Sequence, residues 1–463
     1  MARTARQTIN SLRRPASVRL HSTEELVGQV ESAAALVDKR RREKGQSTLR
    51  RKPALHPVIG AQSVITMELT PWKVLHALAR GYMLSSQGTG HGLAEHWLSL
   101  KFCEALDVNR ARSMELTESG RTPESWYKGM QARELAVGFG LAAAEHIVQQ
   151  RYPDHIISVV DTGIVLRAGW APSVSQRSKS ARPRPDYILE AWKPGEPSKI
   201  TFVACRGNHQ KPTKRSGQTR HTTIQQLIKG AELTEGMQIG DWNSTASLMI
   251  STELLGQGGI VVNVIESPGH TQLPLRTPGM SGHADDEIKD EPGIPYLNAI
   301  QIPNRGERRA HKVDGFQVGP ENVAWFGQLL ARTGAAGLTA FAGGGPRTAR
   351  YLTARQGQKY YQVPVFAATS SVDDAELYVG DTKFVGTDHV FRLGSVRVEA
   401  FSGMANELYE LLKEGRVEEY RRVTYERNQQ GACTADEGTG PLSLQPDGTA
   451  MALRILPLRQ QRR

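Results

Sequence analysis

The chain has 463 residues, 39% of them hydrophobic, which is enough for two or three domains with buried cores and excludes a disordered protein. Net charge is +11, and residues 1–52 hold thirteen Lys/Arg against five Asp/Glu, so eight of the eleven excess positive charges lie there. No apolar run approaches the roughly 20 residues of a membrane span, so the expectation is a soluble protein without a membrane partner.

A basic tail of this kind suits a nucleic acid or another polyanion, and it equally describes a solvated tail without a specific partner. The first 23 residues are Arg-rich, contain Ser and lack acids, which also fits an organellar transit peptide. The three cysteines, Cys103, Cys205 and Cys433, are too few and too far apart for a disulfide framework or a cysteine-rich zinc site. A reducing, cytoplasmic location is expected.

Residues 1–20 are expected to lack order. Ser22-Thr23-Glu24-Glu25 predicts a helix start with a hydroxyl cap and early acids, running to about Lys44. Apolar spacing is helical between Thr70 and Asp107, with Trp72, Leu75, Leu78 and Ala79 on one face. A long helix is predicted from Glu124 to Gln150, capped by Thr122 with Pro123 at its first turn; Leu135, Phe139, Ala142, Ala143 and Ile147 form its apolar stripe. Strands are predicted at Ile156–Val160, Gly163–Leu166, Asp186–Ala191, Ile200–Cys205, Leu248–Ser251 and Gly259–Val264, with a helix capped by Thr222 or Thr223 between the fourth and fifth. Further on come a helix near Glu321–Ala331, short strands between Val363 and Ala400, and a helix from Ala405 to about Tyr420. The resulting division is 1–60 basic tail and helix, 61–123 helical region, 124–267 core, 268–295 linker or loop, 296–428 C-terminal α/β domain and 429–463 tail.

The chemistry centres on a hairpin. Pro185-Asp186 opens one strand, and Ala204-Cys205-Arg206-Gly207 closes the next. Side chains alternate along a strand, so 204 and 206 face the same way and can meet Asp186 from the neighbouring strand. The order of helix with Glu134, strand near Asp161, strand at Asp186, strand ending at Arg206 and helix from Thr223 resembles the PD-(D/E)XK superfamily of restriction-endonuclease-like folds. The Gln225-Gln226-x-x-Lys229-Gly230 segment adds to the likeness. The resemblance covers roughly residues 124–265 and implies an α/β fold with a central mixed sheet flanked by helices.

In that superfamily an acid-x-lysine pair and a first acid hold Mg²⁺, which activates water against a phosphodiester. Here alanine stands at the second acid and arginine at the lysine. Alanine cannot bind a metal, and arginine is suited to gripping phosphate rather than moving protons. The resemblance therefore implies a DNA-binding protein with a degenerate nuclease domain, and by extension a role in phage defence. Arg177, Lys179, Arg182, Arg184, Lys211, Lys214, Arg215 and Arg220 are the expected phosphate contacts, with Asp186 and Arg206 as the remnant of the catalytic pair.

Two alternatives stay open. Glu134, Asp161 and Asp186 could hold one Mg²⁺ in a rearranged, active endonuclease site, or the fold could be a non-enzymatic scaffold for protein partners in a larger system. Each residue also has an ordinary reading: Glu134 a solvated helix acid, Asp161 a local cap, Asp186 a strand opener, Arg206 a structural ion-pair partner. Glu190 lies about 13 Å along its strand from Asp186 at ~3.3 Å per residue, too far to share a metal with it. His91 and His96 are five apart and diverge on a helix, so they do not form a zinc motif. The Gly343-Gly344-Gly345 loop lacks the Gly-Lys-Ser/Thr ending of a phosphate-binding loop.

Overall fold

The computed structural model describes residues 4–44, 55–58, 65–84, 96–168, 184–210, 221–240, 245–255, 259–274, 296–303, 310–362, 374–431 and 440–456. It is a mixed α/β protein built on a curled mixed sheet flanked by helices.

The N-terminal segment, expected to lack order, is built into the fold. Helix α1 (Ala5–Arg13) starts in a capping box: Thr4 Oγ1 accepts from the Gln7 N–H, and Gln7 Oε1 accepts from the Thr4 N–H at 2.9 Å. Its apolar residues Ala5, Ile9 and Leu12 are buried. Strand β1 (Ala16–His21) alternates inward Ala16, Val18 and Leu20 with Ser17, Arg19 and His21, so the arginine excess hid a strand. Helix α2 (Glu24–Glu43) begins as the sequence predicts: Thr23 Oγ1 accepts from Leu26 N–H at 3.2 Å, with Glu24 and Glu25 in the first turn. Strand β2 (Ile65–Leu69) follows, and Thr70 and Pro71 start helix α3 (Pro71–Tyr82), which buries Trp72, Leu75, Leu78 and Ala79. The region expected to be helical up to residue 123 also contains a short hairpin of β3 (Leu106–Val108) and β4 (Met114–Leu116).

Helix α4 (Ser125–Arg151) carries the predicted stripe, with Leu135, Phe139, Ala143 and Ile147 buried. Thr122 does not cap it, because its hydroxyl donates back to Glu118 O at 3.0 Å and ends the preceding turn. Strand β5 (Ile156–Asp161) leads into helix α5 (Thr162–Ala168), where a strand was expected. The apolar run is too short for its period to decide, and the Asp161 carboxylate accepting from Ile164 N–H at 2.9 Å starts the helix.

Strands β6 (Tyr187–Trp192) and β7 (Ser198–Gln210) form the central antiparallel hairpin. Helix α6 (His221–Glu235) and strands β8 (Met237–Ile239), β9 (Ala246–Leu255), β10 (Val261–Ser267) and β11 (Gln272–Leu273) follow. β9 runs parallel to β7, which the α6 crossover allows. The sheet order is β2-β1-β10-β9-β7-β6-β5, with β11 also on β7. Helices α3 and α4 cover one face. On the other, Leu26, Val27 and Val30 of α2 pack with Leu227, Ile228 and Ala231 of α6 over Met249 and Ile265. At two glycines only a bare Cα allows the approach: a Cβ at Gly207 would sit 2.5 Å from Ala132 O, and one at Gly138 would sit 2.7 Å from Val74 O.

Strands β12 (Tyr296–Pro303) and β13 (Ala310–Val318) join β8 in a three-stranded sheet. Helix α7 (Val323–Phe341) precedes strands β14 (Ala375–Val379), β15 (Thr382–Leu393) and β16 (Val396–Ala405). The single helix expected near 405–420 is two, α8 (Asn406–Lys413) and α9 (Val417–Gln429), separated at Gly415, whose φ of 83° ends the first. Strands β17 (Leu442–Leu444) and β18 (Thr449–Ile455) complete a five-stranded sheet ordered β14-β15-β16-β18-β17, so the segment expected as a tail supplies an interior strand.

The C-terminal part was expected as a separate domain, but its core is continuous with that of the first sheet. Trp72 Nε1 donates to Met451 O at 2.8 Å. Arg421 on α9 binds Glu190 of β6 through both guanidinium nitrogens at 3.0 and 2.6 Å, with Glu190 wholly buried and Arg421 4.9 Å from the Trp192 ring centre. Removing one partner of a buried pair strands a charge. Arg421→Met is expected to destabilise the protein by about 3–5 kcal/mol in urea denaturation, and Glu190→Leu with Arg421→Met to recover most of it. A single-variant loss below about 1 kcal/mol would show that the pair does not tie the two parts together.

Candidate functional site

The β6–β7 register sets Tyr187 against Val203, which places Asp186 against Ala204 at the mouth of the hairpin. Asp186 Oδ2 accepts from Cys205 N–H at 2.8 Å and from Arg206 Nη1 at 2.8 Å. Arg206 Nη1 also donates to Cys205 O at 2.5 Å. The pair is partly open to solvent, with side-chain exposures of 28% for Arg206 and 32% for Asp186. The structure thus brings residues 186, 204 and 206 together on adjacent strands.

Ala204 is fully buried beneath α6, and a Cβ built at Gly230 would lie 3.5 Å from its methyl group. The helix occupies the space a longer side chain at 204 would need. Cys205 points to the opposite face, against α4, where burial holds its thiol well above the ordinary value.

The other two acids are engaged elsewhere. Glu134 on α4 is ion-paired to Lys101 at 2.6 Å. It lies near Tyr82, whose phenol burial pushes up to about 12, with the Glu134 and Asp186 carboxylates adding to the rise. Asp161 caps α5. Burial pushes its carboxyl up to about 6, against the pull of the Ile164 N–H and of the Arg184 and Arg167 guanidinium groups. Arg184 lies over Gly163, where an added Cβ would be 2.7 Å from Nη2. Arg177, Lys179, Arg182, Lys211, Lys214, Arg215 and Arg220 lie outside the described residues.

As arranged, this donor set does not fit Mg²⁺. A guanidinium sits at Asp186, Asp161 is spent on the Ile164 N–H, and β7 carries no acid, so only Glu134 keeps a buried oxygen, 2.6 Å from Lys101 Nζ, that makes no hydrogen bond. Among the described residues no group of three His, Cys, Asp or Glu side chains is disposed to hold a metal ion. His96, from the rejected zinc pattern, bonds Ser402 Oγ at 2.7 Å; burial, then the neighbouring His389, lowers its pKa to about 4. Residues 91–95 lie outside the described residues.

Beside Arg206 the structure adds Asn208, Ser251, Asn263 and His21, which the sequence reasoning missed, and Gln226, which it noted only as part of the helix motif. Arg206 pairs in register with Ser251, Ser251 with Asn263, and Asn263 with His21, a polar row across β7, β9, β10 and β1. Gln226 of α6 spans it: Oε1 accepts from Asn208 at 2.9 Å and from Ser251 at 2.6 Å, and Nε2 donates to Gly207 O at 2.8 Å. Thr223 Oγ1 donates to Glu253 at 2.5 Å instead of capping α6. The readable signal was the alternation of Arg206 and Asn208, two polar residues at strand spacing in an otherwise apolar run.

No protein-family model, no curated protein and no solved structure matches the chain.

Asp161 has a testable signature. An acid with a raised folded pKa is protonated in the folded state before it is in the unfolded chain, so its contribution to stability falls as pH rises from about 4 through 6. Asp161→Asn keeps a capping acceptor without the charge. It is expected to match the parent at pH ~4 and to exceed it by on the order of 2 kcal/mol at pH ~8 in urea denaturation. Equal stability at both values would remove the buried charge from the account.

Proposed function

We propose that α4, β5, β6, β7, α6 and β9 form a restriction-endonuclease-like core that binds DNA and has lost phosphodiester hydrolysis. The order of elements, with β9 parallel to β7 after a helical crossover, supports the fold assignment. The observation that carries the functional reading is the Arg206–Asp186 ion pair: a fixed guanidinium neutralises the acid that would otherwise take a divalent cation. A packed alanine in place of the second acid supports the same reading. Arg206 commits Nη1 inward, and its remaining N–H groups suit a phosphate oxygen at the open side. Arg184, at the same hairpin mouth, and the basic segments at 173–185 and 211–220 extend the cationic surface in sequence.

A backbone-binding surface gives salt-dependent affinity. If the eight basic residues of those segments and Arg206 each neutralise a phosphate, log K against log salt falls with a slope of about −8. Duplex DNA in gel shifts at graded salt is expected to bind in this manner, with Arg206→Ala reducing the slope by about 1. Supercoiled plasmid is expected to remain intact with Mg²⁺ or Mn²⁺. Nicking that Asp186→Ala abolishes would overturn the loss of hydrolysis and favour a rearranged metal site. Absence of DNA binding even at low salt would defeat the DNA reading and leave a protein-interaction scaffold.

A further inference from the structure

A cleft of about 400 Å³ lies away from the hairpin site, between α3, α4 and the β17–β18 turn. The volume suits a small organic ligand. Its charges are layered by depth. Arg80 is enclosed, with a side-chain exposure of 7%, and holds Glu145 through Nη1 at 2.8 Å and Asp447 through Nη2 at 2.5 Å. Two carboxylates against one guanidinium leave this inner layer one negative charge in excess. Asp447 is otherwise satisfied, its Oδ1 accepting from the N–H and hydroxyl of Thr449 at 3.0 and 2.7 Å. Glu145 engages Arg80 through one oxygen.

The outer layer is opposite in sign. Lys73 is exposed, and half-buried Arg427 leans over Phe384 with its guanidinium carbon 5.9 Å from the ring centre, against the single exposed acid Glu68. His146 also lines the cleft, and its Nε2 is buried without a hydrogen-bond partner. The lining also includes apolar Leu69, Ala142, Ile157 and Phe384 and neutral polar Gln149, Asn428 and Thr449.

We propose that this cleft binds a small zwitterion with an apolar body, an α-amino acid or a close analogue. Its ammonium group faces Glu145 in the inner layer, its carboxylate faces Lys73 and Arg427 at the rim, and its side chain lies on the apolar wall. The presence of both signs in one cavity is what selects a zwitterion. A simple anion would gain the rim cations but meet the excess carboxylate, and a simple amine would forgo the rim.

The test uses the full chain and three probes of one shape: phenylalanine, phenethylamine and 3-phenylpropionate, followed by thermal unfolding and calorimetry. Phenylalanine is expected to raise the unfolding midpoint by about 2 °C at roughly ten times its Kd, and each half-probe to bind at least about fivefold more weakly. Lys73→Met, a change at an exposed side chain, is expected to weaken phenylalanine about fivefold and leave phenethylamine unchanged. Equal binding of all three probes would overturn the proposal. So would binding by none, or a Lys73→Met variant that binds phenylalanine as the parent does. DNA gel shifts are expected to be unaffected by that variant, so the outcome is separable from the reading of the hairpin site.

Discussion

Strand β7 is the constraint on which the rest is arranged. It pairs antiparallel with β6 over Lys199–Val203 and parallel with β9 over Thr201–Gln210, so almost every residue of it is held at one edge or the other. Alternation then settles every side chain. Val203 and Cys205 go to the α4 face, and Ala204, Arg206 and Asn208 go to the α6 face. Gly207 lets the α4 backbone come close, which seats the helix that carries Glu134. A one-residue slip would exchange the two sets and bury Arg206 under α4, so register and electrostatics enforce each other.

Seen from that strand, the ion pair at the hairpin mouth is a local electrostatic closure. An isolated carboxylate at the end of a buried strand would be expensive, and a metal or a cation can relieve it. Arg206 does so from within the chain and at the same time ties β7 to β6. The flanking row of Ser251, Asn263 and His21 carries no carboxylate, and the nearest acid on that face of β9, Glu253, is held by the Thr223 hydroxyl.

What could be read from the sequence follows from how local each signal is. The hairpin was legible because its turn, its alternation and the acid after proline lie within about 20 residues, and the cap of α2 is written in adjacent hydroxyls and acids. The strand at 16–21 was not, because arginine on its outward positions masked the inward alternation of Ala16, Val18 and Leu20. Strand β18 was also missed: it pairs with β17 across a short turn, but its longer pairing is with β16, about 50 residues upstream. In the candidate site, the meeting of Asp186 with Arg206 could be deduced from strand geometry. The engagement of Glu134 by Lys101 could not, because that contact depends on how a separate segment packs against α4. Glu190 shows the same limit: its position on β6 excluded it from the site, and only the tertiary structure supplies Arg421.

The place of β18 has a consequence for biosynthesis. This strand lies inside the C-terminal sheet and offers Met451 O to the indole of Trp72, almost four hundred residues earlier. Until residues 449–455 have cleared the ribosome, β16 presents an open edge and the indole N–H lacks its acceptor. The helical layer over the first sheet therefore reaches its final packing only once β18 has been made and has paired with β16.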